Sequence, residues 1–241
     1  MKSISIITLL VLTLVILSCE SPLSEEGVSD PSLIQPKIQV QMESDYKGST
    51  YFRYRCKIYD KDLKAVELKG GGVKVNNCNM ILIKDVLGSY YLLDDSQIKY
   101  ELNTNYNFTI TLSDLSQYYA TVTTHSDSIR EFIVPIKQSK TKNMEVTWKG
   151  YIDNSLMYFT VTSYFQTDTT KGINTHRVEI PKPSLGMFEL QNSDFIYKDG
   201  NTYMVDLTLH SEIDGTIDNR FYVNRRAFSH QLITKTIEII E

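Results

Sequence analysis

The 241-residue sequence predicts an all-β protein folded as two tandem antiparallel β-sandwiches. Three observations carry that expectation. Beyond Lys37 apolar and polar residues alternate with period two over short runs, the mark of half-buried antiparallel strands. The composition, with 16 Tyr against 11 Gly and 6 Pro, suits a pleated surface. A tyrosine-led strand pattern in the first half also recurs in the second, which implies two similar units.

The first run sets the pattern. Across Thr50–Tyr59 the apolar positions Phe52, Tyr54, Cys56 and Ile58 alternate with Arg53, Arg55 and Lys57. Comparable runs cover 37–43, 63–68, 72–76, 79–84, 89–93, 106–112 and 117–124. They are separated by Gly70-Gly71-Gly72, Asp94-Asp95 and Asn103-Thr104-Asn105, which are turn-forming clusters. After the polar stretch Lys137–Asn143 the series restarts at 144–149, 156–165, 175–180, 186–190, 202–212 and 233–240. No window carries a long stripe of helical period, and residues 225–231 are assigned at most one helical turn. Many short strands at this spacing point to sandwiches.

The repeat aligns Tyr100…Tyr106-Asn-Phe108-Thr-Ile110-Thr-Leu112 with Tyr197…Tyr203-Met-Val205-Asp-Leu207-Thr-Leu209. Each copy reads as a late central strand entered by a tyrosine whose hydroxyl can tie down the preceding corner. The division is placed between residues 37–140 and 141–241, units of ordinary domain size. In the second unit, Met144–Trp148, Tyr158–Val161 and Tyr203–Leu207 resemble strands B, C and F of a fibronectin type III domain. That resemblance implies a core role for Trp148 and a corner role for Tyr203. In the first unit, Gly71–Asn77 and Tyr106–Leu112 resemble Ig-like domains of Bacteroidetes lipoproteins. These likenesses concern fold and carry no function with them.

The N-terminus gives an address. Lys2 is the only charge ahead of the apolar run Ile4–Leu17, whose 14 residues fall short of the roughly 20 needed to span a bilayer. Residues 1–18 therefore read as a secretory signal. Ile16-Leu17-Ser18-Cys19 resembles the lipobox of bacterial lipoproteins, which implies acylation of Cys19 and a lipid anchor in the membrane. Residues 19–36 hold Pro22, Pro31 and Pro36 with Glu20, Glu25, Glu26 and Asp30, and are expected to form a flexible acidic tether. An acidic stretch after the acylated cysteine resembles the surface-export signal of Bacteroidetes lipoproteins. The expected location is thus the surface of a bacterial outer membrane.

Chemistry is sparse. A net charge of −4 argues against a nucleic-acid partner. The four histidines, His125, His176, His210 and His230, show no metal-ligand spacing, and no metal or other cofactor is expected. His125-Ser126-Asp127 holds the residue types of a hydrolase triad, but neighbouring side chains on an extended chain diverge, so it reads as a polar turn. The triglycine lacks the downstream residues of a phosphate loop and reads as a turn or bulge. Asp60/Asp62, Asp94/Asp95 and Asp214/Asp218 could each offer oxygens to Ca²⁺, yet none completes a ligand set. With Cys19 acylated, Cys56 and Cys78 are left either as a disulfide or as two separate thiols.

Aromatic pairs supply the ligand candidates. Tyr90-Tyr91 and Tyr118-Tyr119 lie within strands, so one ring of each pair must face away from the core. Outward tyrosines can anchor a protein interface or stack on sugar rings. The reading is a non-catalytic binding or protein-interaction module on a lipid anchor. The alternative is a carbohydrate-binding accessory of a glycan uptake system, with these tyrosines as its platforms.

Overall fold

The computed structural model describes residues 21–45, 48–86, 88–94, 96–150 and 155–241. The predicted signal segment and Cys19, the expected acylation site, lie outside the described residues. In chain order the strands are β1 (Ile34–Ser44), β2 (Thr50–Asp60), β3 (Gly72–Val75), β4 (Cys78–Asn79), β5 (Ile81–Asp85), β6 (Gly88–Asp94), β7 (Asn105–Thr111), β8 (Gln117–Thr123) and β9 (Arg130–Ile133). There follow β10 (Lys137–Ser139), β11 (Met144–Lys149), β12 (Leu156–Gln166), β13 (Lys171–Glu179), β14 (Met187–Leu190), β15 (Asn201–Asp214), β16 (Thr216–Ile217) and β17 (Arg226–Ile240). Two four-residue helical turns, α1 (Leu23–Glu26) and α2 (Asn192–Phe195), are the α-helical segments among the described residues.

The protein is all-β, with three sheets. The nine-stranded sheet has the order β13-β12-β15-β17-β1-β2-β6-β5, with β10 joining β17 off that path. A five-stranded sheet (β16-β8-β7-β3-β4) and a three-stranded sheet (β14-β11-β9) supply the remaining layers. Two apolar clusters fill the interior. The first centres on Tyr54, Phe108, Ile110 and Val40. The second centres on Trp148, Phe159, Val161 and Leu207.

Most expected strands appear within a residue or two, because alternation marks the buried face directly. Several segments differ: β9, β10 and β16 lie outside every expected run, and β13 begins four residues before its own. Residues 63–68 form a loop holding only a single bridge from Ala65 to Tyr59. Within residues 225–231, expected at most as a helical turn, the 15-residue strand β17 begins at Arg226. This strand pairs antiparallel with β15 and, over Arg226–Ile233, parallel with Lys37–Ser44 of β1. The final strand therefore lies between the first strand and the second half, and one hydrogen-bonded ladder runs through the position where the sequence places a division. Its inner face carries Ala227 in the first cluster and Ile237 and Ile239 in the second.

Residues 21–36 correct an expectation. They were expected as a flexible tether, but Ser21 is 2% exposed, and Val28 and Ile34 are fully buried in the first cluster. The Ser21 N–H donates to the Ala65 carbonyl, and Val28 exchanges bonds with Ser113 through backbone and hydroxyl. Glu25 and Glu26 stay at the surface while Val28, between them and β1, turns inward. Composition suggested disorder here; Val28 and Ile34, with the partly buried Leu23 packed against the same cluster, suffice to dock the segment.

The repeat holds in one copy and slips in the other. Tyr106 is buried, and its hydroxyl donates to the Lys99 carbonyl (2.9 Å) while accepting from the Glu101 N–H (2.8 Å). Tyr203 instead faces outward, because a one-residue bulge opposite Tyr164 and Phe165 displaces it from the pleat. The corresponding corner is closed by Thr202, whose hydroxyl accepts from the Tyr197 N–H. Phe108, Ile110 and Leu112, like Val205, Leu207 and Leu209, are all buried as the pattern requires. Tyr106→Phe is therefore expected to cost roughly 1–3 kcal/mol, since it strands two corner groups, whereas Tyr203→Phe is expected to stay within about 0.5 kcal/mol of wild type. Equilibrium urea unfolding of both variants checks this, and equal losses would contradict it.

The triglycine is a close approach. A Cβ on Gly71 would stand 2.0 Å from the Thr111 carbonyl oxygen, so only glycine lets the chain enter β3 beside β7.

Candidate functional site

The side chains with the most unusual environment form a polar seam crossing the nine-stranded sheet between the two apolar clusters. On the inner face the loop leaving β8 inserts His125, fully buried, between two hydroxyls. Its Nδ1 lies 2.9 Å from Ser229 Oγ on β17, and its Nε2 lies 3.1 Å from Ser211 Oγ on β15. Beside it the Gln231 amide accepts from the Ile129 N–H and donates to the Asp127 carbonyl. His125 and Gln231 thus pin the 125–129 crossing to the sheet.

On the outer face, one residue along each strand, the seam continues. Gln39 Nε2 donates to His230 Nδ1 (2.7 Å), and His230 Nε2 lies 2.9 Å from His210 Nδ1. With its Nδ1 accepting, neutral His230 carries its proton on Nε2 and donates to His210. His210 then keeps its own proton on Nε2, a buried nitrogen with no partner among the described residues. The Glu212 carboxylate accepts from Tyr158 Oη at 2.8 Å and from Arg226 Nη2 at 2.8 Å. The Tyr158 ring stacks on His210 (4.5 Å, 7°) beneath the Arg177 guanidinium at 3.6 Å.

Burial sets the protonation of the seam. It lowers His125 to about 4, with His230 adding to the effect, and His230 to about 4, where Arg226 reinforces burial and Glu212 opposes it. His210 falls to about 3 through burial and the neighbouring His230. Burial works against the Glu212 carboxylate, yet the bonds from Tyr158 and Arg226 hold it below its ordinary value. At neutral pH the seam therefore contains three neutral imidazoles and one paired carboxylate.

This arrangement ties strands together. Surface grooves of about 710, 480 and 330 Å³ lie elsewhere, lined respectively around Glu67, the triglycine and Tyr203. Among the described residues no group of three or more His, Cys, Asp or Glu side chains is placed to hold a metal ion.

The sequence-derived candidates are dispersed. Tyr91 and Tyr118 point inward and are buried; Tyr90 and Tyr119 point outward, as alternation requires. Tyr90 is half-buried under Arg55 and Lys57, at 5.1 and 5.7 Å from its ring centre. Tyr119, 58% exposed, stands on β8 of a different sheet. The four tyrosines therefore do not form one platform. Cys56, buried on β2, and Cys78, half-buried on β4, are free thiols on separate sheets, the second of the two arrangements the sequence leaves open.

The remaining acids find local partners. Asp60 Oδ1 accepts from the N–H groups of Asp62 and Lys64, Asp214 pairs with Arg226, and Asp218 pairs with Arg220. Asp95 lies outside the described residues. His125, expected in a polar turn, is the residue most fully removed from the sequence reading. Its partners lie 86 and 104 residues away, and no local spacing announces them.

No protein-family model matches the chain, and no curated protein matches it. Solved structures give weak likenesses. The FN1–FN3 domains of chicken CNTN1 align at 11% identity over 88% of this chain and 66% of that one, with a TM-score of 0.20. The Yersinia pseudotuberculosis adhesin InvE aligns at 11% identity over 83% of this chain and 58% of its own, with a TM-score of 0.21. The chain thus spans less than two thirds of either structure. Superposition at that level carries no functional argument, and the all-β assignment stands on the strands themselves.

Proposed function

We propose that the chain is a lipid-anchored bacterial envelope protein, acylated at Cys19, displayed on the outer membrane surface, and serving as a non-catalytic protein-interaction module. In this reading the two apolar clusters are the cores of an Ig-like unit followed by a fibronectin type III-like unit. The observation that carries the reading is the outer face of the nine-stranded sheet. Its eight-strand path makes a surface roughly 34 Å wide. Around the buried seam its side chains are half-exposed or exposed, including Thr160, Thr162, Thr208 and Thr234.

Three arginines lie over aromatic rings on this face: Arg177 over Tyr158, Arg226 over Phe228 and Arg55 over Tyr90. Arginine and tyrosine held rigidly on a flat scaffold are the residue types that dominate protein interfaces. Tyr119, the exposed ring among the four candidate tyrosines, gives a glycan a single stacking surface, so the protein partner is preferred.

A photo-crosslinking residue placed at Thr160 or Thr234 in the envelope-borne protein is expected to capture one partner protein. The same residue at Glu145 on β11 is expected to capture none, and Arg177→Ala is expected to abolish capture from Thr160. Equal capture from both faces would overturn the choice of face. Saturable binding on a glycan array that is lost in Tyr119→Ala would replace the reading with its carbohydrate alternative.

A further inference from the structure

The packing of residues 21–36 leaves no spacer between the proposed anchor and the folded body. Only Glu20 separates Cys19 from Ser21, a reach of at most about 7 Å in any conformation. Ser21 is itself buried and bonded to Ala65. Acyl chains on Cys19 would therefore emerge at one end of the nine-stranded sheet.

That end is defined by the ladder. Ile34 pairs with Asp60 where β1 begins and β2 ends. The Tyr222 N–H donates to the Ile34 carbonyl, which brings the loop before β17 to the same end. A Cβ on Gly88 would contact Ala65 at 3.1 Å, which brings the β5–β6 hairpin tip there as well. Each of these loops exposes apolar side chains: Leu33 (46%), Leu63 (61%), Val86 (94%) and Val223 (74%). Leu63 does so at φ +62°, a left-handed position that Gly or Asn would occupy at lower conformational cost.

We propose that this end rests on the phospholipid surface that carries the anchor, with Leu33, Leu63, Val86 and Val223 seated in the headgroup–acyl boundary. The inference rests on the reading of Cys19 as an acylated anchor. Apolar loop tips supply the second membrane contact that turns a flexible tie into a fixed orientation. Strand β17 then rises from the bilayer over 15 residues, roughly 45–50 Å, and holds the second half clear of the lipid.

The test uses the full chain expressed in a bacterial host. The N-terminal peptide of the mature protein is weighed for acyl groups. The purified protein is then placed in phosphatidylcholine vesicles with or without brominated acyl chains. Leu63→Trp and Val86→Trp report the proximal end, Ile173→Trp on β13 reports the distal end, and native Trp148 supplies a buried background. The expected result is an acylated N-terminus, with bromolipid removing most of the added emission from the two proximal tryptophans and none from the distal one. An acylated protein with unquenched proximal tryptophans overturns the docking proposal and leaves the anchor reading standing. Quenching at all three sites overturns the upright orientation. An unacylated Cys19 overturns both the anchor and the docking.

Discussion

Lowering the pH from 7 to 5 is expected to remove about 4 kcal/mol of stability through His125 and His230 alone. An unfolded histidine titrates near 6.5, whereas in the fold both of these groups titrate at about 4. Between those values the unfolded chain binds protons that the folded chain excludes. The histidine contribution is thus intact above pH 6.5 and is lost as the pH falls toward 4, at roughly 1.4 kcal/mol per pH unit for each group. His210, lowered further to about 3, acts in the same direction from its half-buried position.

Glu212 behaves as a carboxylate with a depressed value, so its contribution is lost only below its ordinary 4.5. The two windows separate the imidazoles from the ion pair. Urea unfolding followed by Trp148 fluorescence at pH 7, 6 and 5 measures the slope. His125→Gln is expected to make it shallower even though it lowers stability at pH 7. A midpoint that stays constant from pH 7 to 5 would show that the seam is not neutral and dry.

Phe159→Ala is expected to cost about 3–5 kcal/mol, the range for emptying a buried phenylalanine site. The ring is fully buried, 5.9 Å edge-on from Trp148, 6.1 Å from Phe132 and 5.9 Å from Phe188. None of these neighbours can fill the space without leaving its own contacts. The consequence reaches beyond the second cluster, because β17 is laddered to β15 on one side and β1 on the other. Thermal unfolding of the variant should move Trp148 emission and amide-exchange protection in β2 and β7 by the same amount. If protection in β2 and β7 keeps its wild-type value while Trp148 is released, the shared strand does not couple the halves.

How much of this was legible depends on the range of the interactions involved. Alternation at Phe52, Tyr54, Cys56 and Ile58 is local, and it identified β2 and its buried face. The same logic placed Phe108 in a core and split each tyrosine pair correctly into one inward and one outward ring, whereas the core place of Trp148 was expected from its resemblance to strand B of a fibronectin type III domain. The bulge that turns Tyr203 outward is also local, but it depends on β12 across the ladder, which no single strand reveals. Val28 has no periodic neighbours, and Ile34, though in step with Ile38, Val40 and Met42, stands ahead of the expected run 37–43 and behind Pro36, so the docked segment looked like a tether. The seam was least legible. His125, His210 and His230 meet only once β8, β15 and β17 are assembled, and three histidines scattered over 105 residues have no motif.

The chain order of the nine-stranded sheet has a consequence for how the molecule is made. Its earliest strand waits for its latest: β1 gains one neighbour from β2 within a few dozen residues, but the other only when Arg226–Ile233 arrives. Until then one edge of the first half is open, and Ala227 and Phe221 are missing from its core. A chain emerging from the ribosome, amino end first, would remain unsealed through almost its whole synthesis. Closing so long a loop is slow, and open strand edges invite pairing with other chains. Loss of the last 16 residues would leave both halves with an unmatched edge at once, so even a truncation confined to the very end of the chain should not be tolerated.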